Sequence, residues 1–177
     1  MSPTSNPPGE TVRFAWWKPV QPWLTLAARL GVAAVALAAA IPKFADLRQS
    51  QRATAAYELM PVALSNVVGI VLPVVELAVG LLVLAGLLSR YAAALFGLMM
   101  VVFVIGIAQA WARGLNIDCG CFGGGGALPA GAKAAYGLEI ARDLLFLAGA
   151  AIIVRWPRSA LSLDGALRLT SSERTMP

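Results

Sequence analysis

Apolar residues gather into four long stretches, Leu24 to Ile41, Val62 to Leu88, Tyr91 to Trp111 and Tyr136 to Trp156, separated by short polar breaks. Each is close to the ~20 residues a helix needs to cross the hydrocarbon core of a bilayer. The first is apolar apart from Arg29. Ala38, Ala39 and Ala40 resemble a signal-peptidase site, but the run is longer than the ~7–15 residues of a signal core, so it reads as a span. In the second, Asn66, Gly69, Pro73, Glu76 and Gly80 fall at steps of three and four and share one inward face. A break of only Ser89 and Arg90 makes the second and third helices antiparallel neighbours. The fourth stretch carries Glu139, Arg142 and Asp143 in its first half, and the three-residue step from Glu139 to Arg142 predicts a pair on one face.

This pattern predicts an all-α integral membrane protein, a four-transmembrane-helix bundle. Residues 1–22 read as a flexible tail rich in Pro, Ser and Thr, residues 23–156 as the membrane domain, and residues 157–177 as a C-terminal tail. Trp16, Trp17 and Trp23, with Lys18, suit the headgroup region as an anchor. On the first helix Arg29, Ala33, Ala36, Ala40 and Lys43 share one face, whose small side chains allow close helix packing. The segment from Lys43 to Pro61 is a loop with room for a short amphipathic helix. A second loop runs from Arg113 to Lys133.

Composition agrees with the pattern: 59% of the 177 residues are hydrophobic, 13% are charged, and the mean hydropathy is +0.74. A net charge of +5 is spread near the ends of apolar stretches and forms no patch of the kind that grips nucleic acid. Four spans put both termini on one side. The termini side carries Arg13, Lys18, Arg90, Arg155, Arg158, Arg168 and Arg174, against Lys43, Arg48, Arg52, Arg113 and Lys133 opposite. The positive-inside rule then predicts a multi-pass cell-membrane protein with cytoplasmic termini and the second loop outside.

That second loop holds Asp118-Cys119-Gly120-Cys121-Phe122-Gly123, with the chain's only two cysteines. The absence of histidine removes imidazole from catalysis and from metal ligation. Two thiols one glycine apart satisfy the first demand of disulfide exchange, a second thiol near enough to resolve a mixed disulfide. Cys119 and Cys121 are therefore the candidate catalytic residues, on the side where disulfides persist. A static bond across one residue closes almost no loop and adds little as a staple. A metal site of both sulfurs with Asp118 lacks imidazole, and no metal is expected. Arg113 and Lys133 are the cations expected to lower a thiol pKa, with Asp118 opposing them. Phe122 and the glycines offer an alternative use as a docking surface. Within the membrane, Glu76 is the other candidate, whose plainer role is to pair with Arg29 or Arg142 and fix the packing.

At these residues the chain resembles the MauE branch of the DoxX-like membrane proteins. The resemblance runs from about Arg29 to Arg155 and rests on Arg29-Leu30-Gly31 with Lys43-Phe44, on Pro73, Glu76, Gly80 and Gly86, on Cys119-Gly120-Cys121-Phe122-Gly123, and on Arg142-Asp143. It implies a four-helix membrane bundle and a role in methylamine metabolism, helping to mature the disulfide-rich small subunit of methylamine dehydrogenase.

The expected function is a thiol-disulfide redox component exchanging with a thioredoxin-like or disulfide-containing extracytoplasmic protein. The lone cysteine pair cannot carry electrons across the membrane. A quinone contacted by Arg29 and Glu76, or a soluble partner, would have to reset it. The alternatives are a non-catalytic assembly partner and a small transporter using Glu76 and Arg142.

Overall fold

A computed structural model describes residues 17–129, 131–156 and 163; the expected C-terminal tail, Leu163 apart, and most of the N-terminal one lie outside these. Five helices follow in chain order: α1 Trp17–Ala45, α2 Leu47–Ala56, α3 Val62–Ala85, α4 Ser89–Ala112 and α5 Tyr136–Arg155. Helix α1 starts at Trp17, inside the segment read as tail, and continues through Pro22 and Pro42.

Among the described residues, three helical segments are long and apolar enough to cross a membrane: Val20–Ala45, Val62–Ala85 and Ser89–Ala112. Their outward positions are apolar, as Val67, Leu81, Leu98 and Ile105 show at 51–62% exposure. Burying such surface in lipid removes it from water, and the protein is a helical membrane protein in contact with the bilayer. The 20 residues of α5 span about 30 Å, long enough to cross, but Glu139, Arg142 and Asp143 set it apart from the three.

The stripe on α1 faces inward as its spacing predicts: Arg29, Ala33, Ala36, Ala40 and Lys43 are all buried. It packs along α3, where Gly80 lies against Ala36 and Leu37 so closely that a Cβ would meet Leu37 at 2.9 Å. On α3, Gly69, Pro73, Glu76 and Gly80 are buried, whereas Asn66 is exposed and Ser65 takes the inward place. The turn from α3 to α4 is tight because Gly86 adopts φ +69° and lets the Gly86 and Leu87 amides cap the Val83 and Leu82 carbonyls. Although joined by this turn, α3 and α4 meet less than α4 meets α5 or α1 meets α3.

Helix α2 begins where the Asp46 carboxylate accepts from the Gln49 amide at 2.9 Å. It rests on α3 through Ser50, whose hydroxyl donates to the Gly69 carbonyl at 2.7 Å, and a Cβ on Gly69 would meet the Gln51 Cα at 2.6 Å. The cysteine loop folds against this short helix. Its stem is a two-residue antiparallel ladder, β1 Ile117–Asp118 with β2 Gly126–Ala127.

Candidate redox site at the cysteine loop

The loop tip, residues 119–125, packs down onto the bundle because glycine allows it. Gly120 and Gly125 have φ of +68° and +86°, and a Cβ on either would stand within 3 Å of the Ala53 methyl on α2. Gln49 donates to the Gly125 carbonyl at 2.6 Å and the Tyr57 hydroxyl to the Cys119 carbonyl at 3.0 Å, so α2 and the turn after it hold the tip from one side. Burial holds the Tyr57 phenol well above its usual pKa, and it stays a neutral donor. Gly120, Gly123 and Gly125 thus lie against the protein, whereas Gly124 is exposed with open space beside it. Phe122, 39% exposed, is the apolar residue the tip shows outward, and even it lies under Arg142 and edge-on to Phe146.

Both cysteines are free thiols, in unequal surroundings. Cys119 is half-buried. Its sulfur accepts from the Cys121 amide at 3.4 Å and from the Arg142 guanidinium at 3.5 Å. The hydrogen bond with the Cys121 thiol, together with Arg142 and against the cost of burial, lowers the Cys119 pKa to about 7. Cys121 is buried at 8% exposure. Its partnership with Cys119 and its burial push its thiol well above the ordinary range. One sulfur is poised as a thiolate while the other keeps its proton.

The cation beside the pair is Arg142 of α5. Arg113, expected in this role, lies instead 2.8 Å from Glu58 in an exposed pair. Arg142 also pairs with Asp143, its Nε and Nη2 donating to one carboxylate oxygen at 3.1 and 3.0 Å, so the predicted Glu139 partnership gives way to Asp143. Glu139 stands near the same sulfur: ligand atoms of Asp118, Cys119 and Glu139 lie within 4.8 Å of one another. Those three groups have the spacing to share a cation, but the guanidinium on the same sulfur competes electrostatically with one.

Deeper in the bundle, Glu76 pairs with Lys43 of α1 at 2.6 Å, and the two side chains are 4% and 5% exposed. The Lys43 ammonium also lies 5.8 Å from the centre of the Phe103 ring. Neither expected partner, Arg29 or Arg142, takes this place. Arg29 is buried and donates to the Leu84 carbonyl at 3.4 Å, eight residues and about 12 Å along α3 from Glu76. The structure does not bring Arg29 and Glu76 into one site, nor Glu76 and Arg142 into a pair. Lys43 ends the first apolar run, and antiparallel packing of α1 on α3 was the missing link to Glu76.

Residues 21–156 match the family model described as methylamine utilisation protein MauE. The chain belongs to the MauE family. Within it, the chain is similar to the methylamine utilization protein MauE of Paracoccus denitrificans, 34% identical over 107 residues that make up 60% of this chain and 58% of that protein. The chain therefore matches less than two thirds of that relative's length. No solved structure matches. The matched MauE region holds α1 from Gln21, α2 to α5, and both cysteines, so the site lies within the family's own domain.

Proposed function

We propose that this MauE-family protein is a thiol-disulfide exchange component in which Cys119 attacks and Cys121 resolves. The observation that carries the reading is the inequality of the two thiols, one half-exposed beside Arg142 with a pKa of about 7, the other buried and protonated. An attacking thiol works best with a pKa near ambient pH. In one direction, the Cys119 thiolate attacks a partner disulfide; the Cys121 thiolate then attacks Cys119, the mixed bond breaks, and the partner leaves reduced. The reverse sequence passes the Cys119–Cys121 disulfide to a partner dithiol. The partner fits a thioredoxin-like or disulfide-containing extracytoplasmic protein, and the family's link to methylamine utilisation makes a maturing protein of that pathway the first to try.

In the same reading α5 is the fourth span. The charged residues of its first half turn inward, with Asp143 1% exposed, while Leu138, Leu144 and Leu145 face outward at 49–74%. A helix polar within and apolar without suits lipid. Four spans set the termini together in the cytoplasm and the cysteine loop outside. The burial of Lys43 in its pair with Glu76 removes one basic residue from the loop side, which widens the charge asymmetry read from the sequence.

Two experiments test this. A membrane-impermeant maleimide applied to intact cells should label the protein after mild reduction and not before; labelling that appears only after lysis refutes the orientation. Replacing both cysteines with serine should stop maturation of the partner, and a partner that still matures refutes the exchange role.

A further inference from the structure

Beneath the cysteine loop a cavity runs into the bundle, with Glu76, Cys121 and Asp143 on its wall among apolar neighbours such as Met100, Phe103 and Phe146. It leaves about 20 Å³ for the centre of a water molecule. A buried water needs ~10–15 Å³ on that measure and two to four polar partners. Three of the residues that line it, Glu76, Cys121 and Asp143, carry polar side-chain atoms. Asp143 is 1% exposed and Glu76 3%, and each spends one carboxylate oxygen on its cation, Arg142 or Lys43. The other oxygen of each, Oδ2 of Asp143 and Oε2 of Glu76, is buried with no hydrogen-bond partner. Buried carboxylate oxygens left unmatched are costly, and two of them on residues that line one cavity point to something that hydrogen-bonds there.

We propose that this cavity is a water site through which Asp143 exchanges a proton with the Cys121 thiol during resolution. The inference rests on the assignment of Cys119 as attacking and Cys121 as resolving thiol. After Cys119 has formed a mixed disulfide, the Cys121 proton passes through the water to the Asp143 carboxylate. The Cys121 thiolate attacks the Cys119 sulfur, the Cys119–partner S–S bond breaks, and the partner sulfur leaves with the electron pair as a thiolate. The cysteine pair is oxidised by two electrons and the partner disulfide is reduced by two. In reverse, Cys121 leaves as a thiolate and recovers its proton from Asp143. A carboxylate one water away from a buried thiol is within reach for general acid-base work. Glu76 accepts the water's other hydrogen and holds it in place.

The test uses the full-length reduced protein in nanodiscs and the disulfide probe dithiobis(nitrobenzoate). Attack by Cys119 releases one nitrothiobenzoate, and resolution by Cys121 releases a second. Asp143→Asn keeps an oxygen for Arg142 but cannot take a proton. It should slow the second release relative to the first by roughly tenfold or more, with the mixed disulfide accumulating on Cys119. An unchanged ratio overturns the proposal. A first release lost in Cys121→Ser but kept in Cys119→Ser overturns the underlying thiol assignment instead. Should Asp143→Asn fail to fold, the wild-type protein decides. Its reduced-minus-oxidised infrared difference spectrum should contain a carboxyl band that shifts on carbon-13 labelling of aspartate, and a spectrum without one overturns the proposal.

Discussion

Two clusters of opposite charges lie one above the other in this bundle, and they behave differently for reasons of access. The lower one, Lys43 with Glu76, joins α1 to α3 by side chains 33 positions apart and is sealed from solvent. The upper one, Arg142 with Asp143, lies on a single helix, leaves Arg142 about a quarter exposed, and turns that cation toward the Cys119 sulfur. A sealed pair that joins two helices holds them in one register. A pair with one face turned to a thiol alters that thiol's chemistry. The comparison separates what holds the bundle together from what makes the loop reactive.

The largest effects should fall on the upper cluster's sulfur. Cys119→Ser is expected to reduce disulfide exchange to background while leaving thermal unfolding in detergent close to wild type. A variant that still exchanges would remove the distinction between the two clusters. Next comes the lower pair: Lys43→Met leaves the Glu76 carboxylate buried beside no cation and should cost about 3–5 kcal/mol. Chemical denaturation in mixed micelles measures this, and Lys43→Met with Glu76→Leu should recover most of the loss. If the single variant is as stable as wild type, the pair does not hold α1 on α3.

The pH dependence of Cys119 sharpens the contrast further. Its pKa of about 7 means the thiolate, and so the alkylation rate, rises through neutrality and falls away below it. Cys121→Ala removes the leading cause and should move the inflection upward. Arg142→Met should move it upward by less and slow iodoacetamide alkylation at pH 7 by up to roughly tenfold, since an ordinary thiol titrates near 8.5. An unmoved profile in both would mean that neither neighbour sets the pKa. The smallest effect belongs to the loop's seat. Gly125→Ala places a methyl 2.6 Å from the Gly120 Cα in a backbone region that disfavours side chains. The backbone conformation alone should cost about 1–2 kcal/mol, and closure of the Cys119–Cys121 bond should slow, as read by mass spectrometry after mild oxidation.

Hydropathy and spacing made the helices legible: four apolar runs correspond to α1, α3, α4 and α5, and the α1 stripe from Arg29 to Lys43 faces inward as a step of three and four dictates. The cysteine motif was equally legible, because two thiols one residue apart are juxtaposed by covalent connection alone. Asn66 and Ser65 mark the limit of such reading, since a helical face drawn by polarity can be off by one residue when a polar side chain is tolerated at an edge.

Partnerships across distance belonged to the tertiary structure. Arg113 is nearer to the cysteines in sequence than Arg142, yet the folding of the loop over α5 delivers Arg142 to the sulfur and leaves Arg113 with Glu58. Lys43 meets Glu76 because α1 and α3 run side by side. Periodicity reports which face of a helix is buried, and composition reports the solvent in which it is buried. Neither reports which other face it meets, and a charge in a low-dielectric interior takes its chemistry from that neighbour.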